Sequence, residues 1–404
     1  MDLKSGYPYW AIRNGLMHAV PALDADHRCD VAVVGGGITG ALIASELAAG
    51  GHSVTVLEMR DIGWGSTAAS TALLQYEIDE HMVDLCKQFG EADAALAYRA
   101  CSDAIDELEQ IARDVGGVDF ERCSSLYYAS KPRHVSSLQD EMALRVRHGF
   151  DIEWLDAAHL QARYGLEAPG GMLSAQAARI DPYRMAYRLF ARMRRDGVQV
   201  FDRTCVEDIE VGARRVRLRT KTGAVVDAGH VVMAAGYANQ RWLPGGLARN
   251  RSSYAFITDP LDSTLLGELR KTLVWESARP YLYMRSTTDG RLLVGGEDDA
   301  VDVPKRRDAR VESKSRTLIK RVHERFAHLE LKPAFAWGGT FAETRDGLPF
   351  FGAHPKLGPR VQFAMAYGGN GITYSTIGAG LVRAAIERKR HPLAKLFGFE
   401  RLDR

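Results

Sequence analysis

A glycine-rich turn between a buried strand and a helix constrains this 404-residue chain more than any other feature. Residues 30–34, DVAVV, are apolar and largely β-branched, as in a buried parallel strand, and GGGITG follows at once as a G-x-G-x-x-G motif from Gly35 to Gly40. The next residues, ALIASELAAGG, favour a helix that ends at two glycines, and SVTVLE then predicts a second strand ending at Glu58. Strand, turn, helix and strand within about thirty residues predict a βαβ unit that binds a dinucleotide.

Each glycine of this motif has a separate physical task. Gly35 permits the tight turn, Gly37 lets the backbone approach a pyrophosphate, and Gly40 lets the helix pack closely against the strand. The amino end of the helix presents main-chain N–H groups and a positive dipole end to the phosphates. Glu58 can accept hydrogen bonds from ribose hydroxyls. A bare motif is equally typical of an unliganded glycine-rich turn, but the strand, helix and carboxylate together favour a dinucleotide site.

Three further segments bear on which dinucleotide binds, because the motif alone fits both NAD and FAD. Residues 59–79, MRDIGWGSTAASTALLQYEID, are rich in small and hydroxylated side chains that can contact an extended flavin, although a plain loop has the same composition. Residues 205–236 predict at least three strands, with a Thr-Gly turn inside a hairpin. Residues 358–389 predict a strand, a glycine-rich turn and a helix from about Ile372, whose amino end can stabilise negative charge on a reduced flavin.

These segments, in this order, resemble the D-amino-acid oxidase-like family of FAD-dependent oxidoreductases, which includes glycine, sarcosine and gamma-glutamylputrescine oxidases. The resemblance implies that the glycine-rich turn and Glu58 bind the ADP half of FAD and that Val206 touches adenine through its backbone. It also implies that the segment ending in Ala235-Gly236 passes under the cofactor and that the turn 368–373 contacts the flavin ring. The predicted FAD-binding residues are Gly35, Gly37, Ile38, Thr39, Gly40, Glu58, Met59, Arg60, Gly65, Ser66, Thr67, Ser70, Thr71, Val206, Ala235, Gly236, Gly347, Gly369, Asn370, Gly371, Ile372 and Thr373.

The resemblance implies an α/β fold with two domains. It predicts a discontinuous Rossmann-type FAD-binding domain of residues 28–85, 175–250 and 333–390, an α+β substrate domain of residues 86–174 and 251–332 built on an antiparallel sheet, and an N-terminal extension of residues 1–27. Sequence patterns agree with this organisation. They predict helices over residues 82–114, a strand near Ser125 and a hairpin around Asp289-Gly290.

Flavin-dependent amine oxidation by hydride transfer needs a neutral amine held with its C–H bond over the flavin in a dry pocket. Aromatic side chains suit the walls of such a pocket, and the resemblance implies Tyr281, Tyr283, Trp337 and Phe341, for which ordinary core packing is the alternative. Arg285, at a strand end, is the candidate for binding a substrate carboxylate, with a structural salt bridge as the alternative. Gln75 and Tyr76 are further candidates of the same kind.

Three positions depart from better-known members of the family. Gly339 stands where sarcosine oxidase-like members carry the cysteine that bonds the flavin, so we expect non-covalent FAD. Phe341 stands where glycine oxidase-like members carry the carboxylate-binding arginine, which favours an amine or a larger, less polar substrate over a simple α-amino acid. Leu293 stands where a lysine promotes the reaction with dioxygen. The expected electron acceptor is therefore dioxygen or, in its place, a quinone or electron-transfer protein.

Charge and composition exclude several other classes of function. The formal net charge of +2 gives no global field that would recruit nucleic acid or a membrane surface, and no apolar run is long enough for a transmembrane helix. The cysteines and histidines have no spacing typical of a metal site, so no metal is predicted, and we expect a cytoplasmic protein. An FAD-dependent hydroxy-acid dehydrogenase, a flavin-binding electron-transfer subunit without its own substrate site and an NAD-only dehydrogenase remain as alternatives.

Overall fold

The computed structural model describes residues 3–5, 8–301 and 303–403, and its mixed α/β fold is built on two sheets with helices packed against them. The strands in chain order are β1 (His27–Val34), β2 (Val54–Leu57), β3 (Leu73–Gln75), β4 (Glu121–Tyr128), β5 (Ile152–Asp156), β6 (Gly170–Arg179), β7 (Gln199–Phe201), β8 (Val206–Val211), β9 (Val216–Thr220), β10 (Val225–Met233), β11 (Arg249–Thr258), β12 (Thr272–Glu276), β13 (Leu282–Ser286), β14 (Leu292–Asp299), β15 (Pro333–Glu343), β16 (Phe350–Ala353) and β17 (Val361–Met365). The helices are α1 (Tyr9–Asn14), α2 (Ile38–Ala49), α3 (Ser66–Ala69), α4 (Met82–Phe89), α5 (Glu91–Val115), α6 (Val135–Arg147), α7 (Ala157–Tyr164), α8 (Pro182–Arg195), α9 (Ser263–Leu266), α10 (Pro304–Asp308), α11 (Val311–Arg325) and α12 (Gly371–Ile386). Short 3-10 helices occupy Pro132–His134, Gly236–Trp242, Gly267–Lys271 and Phe399–Asp403.

The first sheet has a parallel centre, in the order β16-β17-β10-β1-β2-β7, with β9 and then β8 attached beside β10. Strand β1 pairs in parallel with both β10 and β2. Its apolar run is buried on both faces: Val31 and Val33 belong to the core shared with α2 and α12, and Ala32 belongs to the core shared with β8 and β9. The predicted βαβ unit is therefore confirmed, and so is the predicted hairpin of β9 and β10.

Helix α2 lies close against the turn that precedes it. A Cβ atom at Gly40 would overlap the carbonyl oxygen of Gly35, and a Cβ at Gly35, whose φ is +123°, would overlap the carbonyl oxygen of Ala234 at the end of β10. Only glycine fits either position, because backbone occupies the space that a side chain needs. The motif thus brings the end of β1, the start of α2 and the end of β10 into contact.

The second sheet has the order β15-β11-β14-β13-β12-β4-β6-β3, with β5 attached to β6. The prediction of an antiparallel sheet needs one correction, because β4 and β12 pair in parallel while the other pairs are antiparallel. Parallel neighbours need a long connection. Here the connection is residues 129–271, which contribute β5, β6 and β11 to the second sheet and β7 to β10 to the first.

The chain passes between the sheets at places that the predicted domain ranges do not follow. Strands β3 and β15 lie in ranges assigned to the FAD-binding domain, yet both pair within the second sheet, and β6 crosses the predicted boundary at residues 174–175. Sequence patterns locate strands but not their partners, and sheet membership alone does not define domains. The division into an FAD-binding and a substrate domain remains a prediction.

The N-terminal segment joins the second sheet. Lys4 forms an antiparallel bridge with Gly339, and the N–H of Ser5 donates to the carbonyl oxygen of Gly338 at 2.9 Å. Residues 1, 2, 6 and 7 of the predicted extension lie outside the described residues. Within the described part of the chain, no helix combines the length and apolar character needed to cross a bilayer.

Candidate functional site

A cavity of about 540 Å³ lies between the two sheets. One side is formed where the parallel strands of the first sheet end, at Val34, Leu57 and Ala234. The carboxyl ends of parallel strands are the usual ligand-binding edge of an open α/β sheet. The opposite side comes from the second sheet, and we call it the second-sheet wall. Its members are Gln75, Glu77, Asp79, Ser253, Tyr254, Ala255, Trp275, Arg279, Tyr281, Tyr283, Asp298, Trp337, Gly339, Thr340, Phe341 and Glu343.

The glycine-rich turn is held by the carboxylate that the sequence assigns to ribose. The N–H of Gly36 donates to Glu58 Oε2 at 2.6 Å, and the N–H of Arg60 donates to Glu58 Oε1 at 2.9 Å. Burial raises the pKa of Glu58, while these main-chain donors act in the opposite direction. Glu58 therefore shapes the turn itself and also lines the cavity, where its oxygens can accept further hydrogen bonds.

The space beside Gly37 is suited to a phosphate. A Cβ atom at this position would meet only Thr67 Oγ1, at 3.0 Å, so the backbone borders open cavity. The same hydroxyl oxygen accepts the N–H of Ile38 at 2.9 Å, which fixes the first turn of α2. Backbone without a side chain at the amino end of a helix fits the diphosphate of a dinucleotide.

Most of the predicted FAD-binding residues line this one cavity. The exceptions are Gly40, Gly347 and Thr373. Gly40 packs against the turn, and Gly347 lines a neighbouring cavity, where its carbonyl oxygen accepts the hydroxyl of Tyr374. Thr373 is buried inside α12 and donates to the carbonyl oxygen of Asn370. These three residues support the cavity wall without facing the cavity.

The glycine-rich turn before α12 is tied to residues that follow β3. The N–H of Gly369 donates to Asp79 Oδ2 at 2.7 Å, and Asn370 Nδ2 donates to the carbonyl oxygens of Gln75 and Glu77. Because Gly371, the first residue of α12, lines the cavity, the positive end of a sixteen-residue helix borders it. The prediction omitted Asp79, since an acidic residue after a short strand gives no signal of this contact.

Aromatic side chains dominate the second-sheet wall. All four predicted aromatic residues, Tyr281, Tyr283, Trp337 and Phe341, line the cavity. Trp337 donates from Nε1 to the carbonyl oxygen of Ala69 at 2.9 Å.

Trp275 also lines the cavity, although no sequence pattern singled it out. Its ring stacks on Tyr127 with 3.6 Å between centroids, and its Nε1 donates to Ser125 Oγ at 3.1 Å. These contacts fix the orientation of the indole ring at the cavity wall.

Arg285 does not line the cavity, which corrects the prediction that it binds a substrate carboxylate. Its guanidinium is buried and donates to the carbonyl oxygens of Thr71, Ile180 and Ser286, at 2.7, 2.9 and 3.2 Å. The side chain is used up by these contacts, which join three chain segments behind the cavity-lining residue Thr71. Of the two further candidates, Gln75 lines the cavity, whereas Tyr76 packs in the core against Phe150.

The second-sheet wall also carries carboxylates that the sequence analysis did not single out. Glu77, Asp79, Asp298 and Glu343 line the cavity, and all but Glu77 also line an adjoining outer cavity of about 490 Å³. Burial raises the pKa of Asp298 to about 7, and a hydrogen bond with Ser253 acts in the opposite direction. Acidic residues at a strand end are usually solvated, which is why the sequence drew no attention to them.

Three positions were predicted to depart from better-known members of the resembled family. Gly339 and Phe341 line the cavity, and Leu293 is buried in β14 and does not. Among the described residues that line the cavity, the sole cysteine is Cys205, beside Val206, and there is no lysine.

Comparisons with known proteins agree with this geometry. The family model described as FAD dependent oxidoreductase (DAO) matches residues 30–385. Gamma-glutamylputrescine oxidoreductase of Escherichia coli (strain K12) is 26% identical over 382 residues, covering 93% of this chain and 87% of that protein. Glycine oxidase of Geobacillus kaustophilus (strain HTA426) is 28% identical over 377 residues, covering 90% and 94%.

Solved structures show the same fold. The crystal structure of glycine oxidase from Geobacillus kaustophilus superposes with a TM-score of 0.76 at 21% identity, covering 92% of this chain and 98% of that one. L-proline dehydrogenase from P. horikoshii superposes with a TM-score of 0.79 at 18% identity, covering 94% and 98%. Since the family model spans most of the sequence, the chain belongs to the DAO family of FAD-dependent oxidoreductases.

Proposed function

We propose that this protein oxidises a C–N bond of a small amine or amino-acid-like substrate with non-covalently bound FAD. One observation carries the proposal: a single cavity runs from the glycine-rich turn and Glu58 to an aromatic wall on the second sheet. The first part suits the nucleotide, and the second suits a small organic molecule. Relatives named for gamma-glutamylputrescine and for glycine support a nitrogen-bearing substrate.

The chain contributes position and exclusion of water to this reaction. When bound, FAD supplies a two-electron acceptor for hydride. The substrate's C–H bond breaks with its electron pair, the nitrogen lone pair forms a C=N bond, and water converts the imine to a carbonyl compound and ammonia or an amine. Trp275, Tyr281, Tyr283 and Phe341 would hold the substrate carbon in an apolar environment.

Two finer parts of the proposal rest on single positions. Non-covalent FAD is supported by Gly339, which offers no side chain for a bond to the flavin, and by the place of Cys205 beside Val206. The acceptor that reoxidises the flavin is proposed as a quinone or electron-transfer protein, with dioxygen as the alternative. The absence of lysine from the described cavity-lining residues supports the first of these.

The test is an anaerobic reduction screen on the purified holoprotein. Loss of the yellow flavin absorbance with amines or amino acids, but not with matched hydroxy acids, is the expected result. Admitting air then separates oxidase from dehydrogenase by the rate at which the colour returns. Bleaching by hydroxy acids alone would reassign the reaction to a C–O bond, and tight FAD that no small molecule reduces would indicate an electron-transfer subunit. Release of FAD on acid precipitation tests its non-covalent attachment.

A further inference from the structure

The second-sheet wall has more negative than positive side chains. Four carboxylates, Glu77, Asp79, Asp298 and Glu343, line it together with one guanidinium, that of Arg279. Two of these carboxylates have partners within the protein, since Asp79 Oδ2 accepts the N–H of Gly369 and Glu343 pairs with Arg251. The other two carboxylates are those of Glu77 and Asp298.

Asp298 and Glu77 each have a buried carboxylate oxygen without a hydrogen-bond partner among the described residues. These atoms are Asp298 Oδ1 and Glu77 Oε2, and Glu77 is only 4% exposed. A buried polar atom without a partner costs free energy, and an anion without a cation costs more. A missing partner at the wall of a ligand cavity points to the ligand.

The neighbours of Asp298 in β14 show how unusual its position is. Glu297 pairs with Lys314 at 3.3 Å, and Asp299 pairs with Arg310 at 2.8 Å. The chain thus supplies a cation for the residue before Asp298 and for the residue after it. Asp298 instead lies beside Ser253 on the cavity wall, and within the described part of the chain it forms no ion pair, although the charge of Arg279 acts on it.

Asp298 also lies where the two cavities adjoin. It lines both the inner cavity and the outer cavity of about 490 Å³, as do Arg279 and Glu343. A substrate that enters through the outer cavity therefore passes this carboxylate before it reaches the aromatic wall. Burial raises the pKa of Asp298 to about 7, with Glu343 and Asp79 acting in the same direction and Ser253 and Arg279 in the opposite one.

We propose that Asp298 binds the ammonium group of the substrate and accepts the proton that must leave before the nitrogen lone pair can form the C=N bond, so that the preferred substrates are cationic amines without a carboxylate beside the reacting carbon. This rests on the proposed amine oxidation. Phe341 agrees with it, because its ring lines the same wall and offers no positive charge to a carboxylate.

Arg279 is the competing site, because among the described residues of the second-sheet wall it is the guanidinium that could receive a carboxylate. It is exposed, donates to the carbonyl oxygen of Asp79 at 3.0 Å, and lies over the ring of Tyr281 at 3.8 Å from the centroid. Its hydrogen-bonding and stacking contacts hold it at the rim. An α-amino acid would bring its carboxylate into the same wall as Asp298, Asp79 and Glu77, where like charges repel.

The experiment measures binding to the holoprotein under anaerobic conditions, from the shift of the flavin spectrum. Four four-carbon probes carry a cationic, a neutral polar, an anionic or a zwitterionic group: 1-aminobutane, 1-butanol, butanoate and 2-aminobutanoate. Wild-type protein is expected to bind 1-aminobutane most tightly. Asp298→Asn should weaken its binding roughly ten- to hundredfold, the effect of losing one charge-assisted hydrogen bond, and leave 1-butanol unchanged.

Asp299→Asn is the matched control, since it removes the same charge from the next residue and should leave all four probes unaffected. Arg279→Gln tests the competing site and should not weaken 1-aminobutane. The proposal is overturned if wild-type protein binds butanoate or 2-aminobutanoate better than 1-aminobutane. It is also overturned if Asp298→Asn weakens the amine and the alcohol equally.

The order of probe affinities of the wild-type protein tests the proposal even if the Asp298→Asn variant does not bind FAD. If the holoprotein shows this order of affinities but is never reduced by an amine, the proposed oxidation is contradicted and the proposed cation-binding role of Asp298 is not. The two proposals therefore fail separately.

Discussion

The two sides of the cavity are built by different means. The nucleotide side is formed by residues that are close in sequence: a glycine-rich turn, the helix after it and Glu58 after the next strand. At the second-sheet wall, side chains from β11, β13 and β14 converge, so that Ser253 Oγ lies 3.1 Å from the hydroxyl of Tyr283 and beside Asp298. The first side depends on backbone shape and the second on side-chain chemistry, and mutations should separate them.

The largest expected effect is at Gly37, where a side chain would fill the phosphate space. Gly37→Val should abolish FAD binding, because the added carbons enter the cavity, while the backbone, with φ near −82°, accepts a non-glycine residue. The measurement is the ratio of flavin to protein absorbance after purification, with circular dichroism to show that the chain is folded.

Gly245→Val is the matched control. Gly245 is exposed, has no unusual backbone conformation, and a Cβ there would meet nothing within 4 Å. It should therefore retain normal flavin content. If Gly37→Val were as yellow as this control, the diphosphate could not lie where the motif places it.

Arg285 is expected to show the next largest effect, and the effect should be on stability instead of substrate binding. Arg285→Met leaves the buried carbonyl oxygens of Thr71, Ile180 and Ser286 without a donor, which should lower the free energy of unfolding by roughly 3 kcal/mol or more. The denaturation midpoint measures this. If the variant had unchanged stability but a raised KM for substrate, this result would support a role of Arg285 in substrate binding.

The contrast also explains what the sequence could predict. The βαβ unit, the hairpins of β9–β10 and β13–β14 and the helix after the 368–373 turn follow from local periodicity and turn residues, and the structure contains all of them. The role of Arg285 did not follow, because its partners lie 105 and 214 residues away. Asp298 was missed for a similar reason. Whether its carboxylate forms an ion pair depends on which face of β14 it occupies, and no local sequence pattern determines that face.

A smaller effect is expected at Glu58, where side chain and backbone meet. Glu58→Gln replaces one acceptor oxygen with an NH₂ group that faces a main-chain donor, either the N–H of Gly36 or that of Arg60. FAD affinity should fall roughly tenfold, as for one hydrogen bond to a charged group. Titration of the apoprotein with FAD measures it. Glu46→Gln, on the far part of α2, is the control and should not change the affinity.

The smallest expected effect tests whether Asp298 is kept for binding at the expense of stability. The pKa of its carboxyl is about 7 in the folded protein against an ordinary value of 3.8. Between these values the folded state holds a proton that the unfolded state has lost, so this group lowers the free energy of unfolding as pH rises from about 4 to about 7. The Asp298→Asn side chain cannot ionise, so this pH-dependent decrease in the free energy of unfolding does not occur in the variant.

The ligand-free Asp298→Asn variant should therefore exceed wild-type protein in melting temperature at pH 8, by a margin that shrinks at pH 5. Asp299→Asn should behave in the opposite way, because it removes an ion pair with Arg310 and a hydrogen bond from Tyr254. Thermal melts of the three proteins at both pH values measure this. A destabilised Asp298→Asn at pH 8 would mean that the carboxylate has a structural partner, and the contrast between the two sides of the cavity would then lose its strongest case. A stabilised one would mean that this carboxylate weakens the fold while its free oxygen stays available to a cation, as a residue kept for binding does.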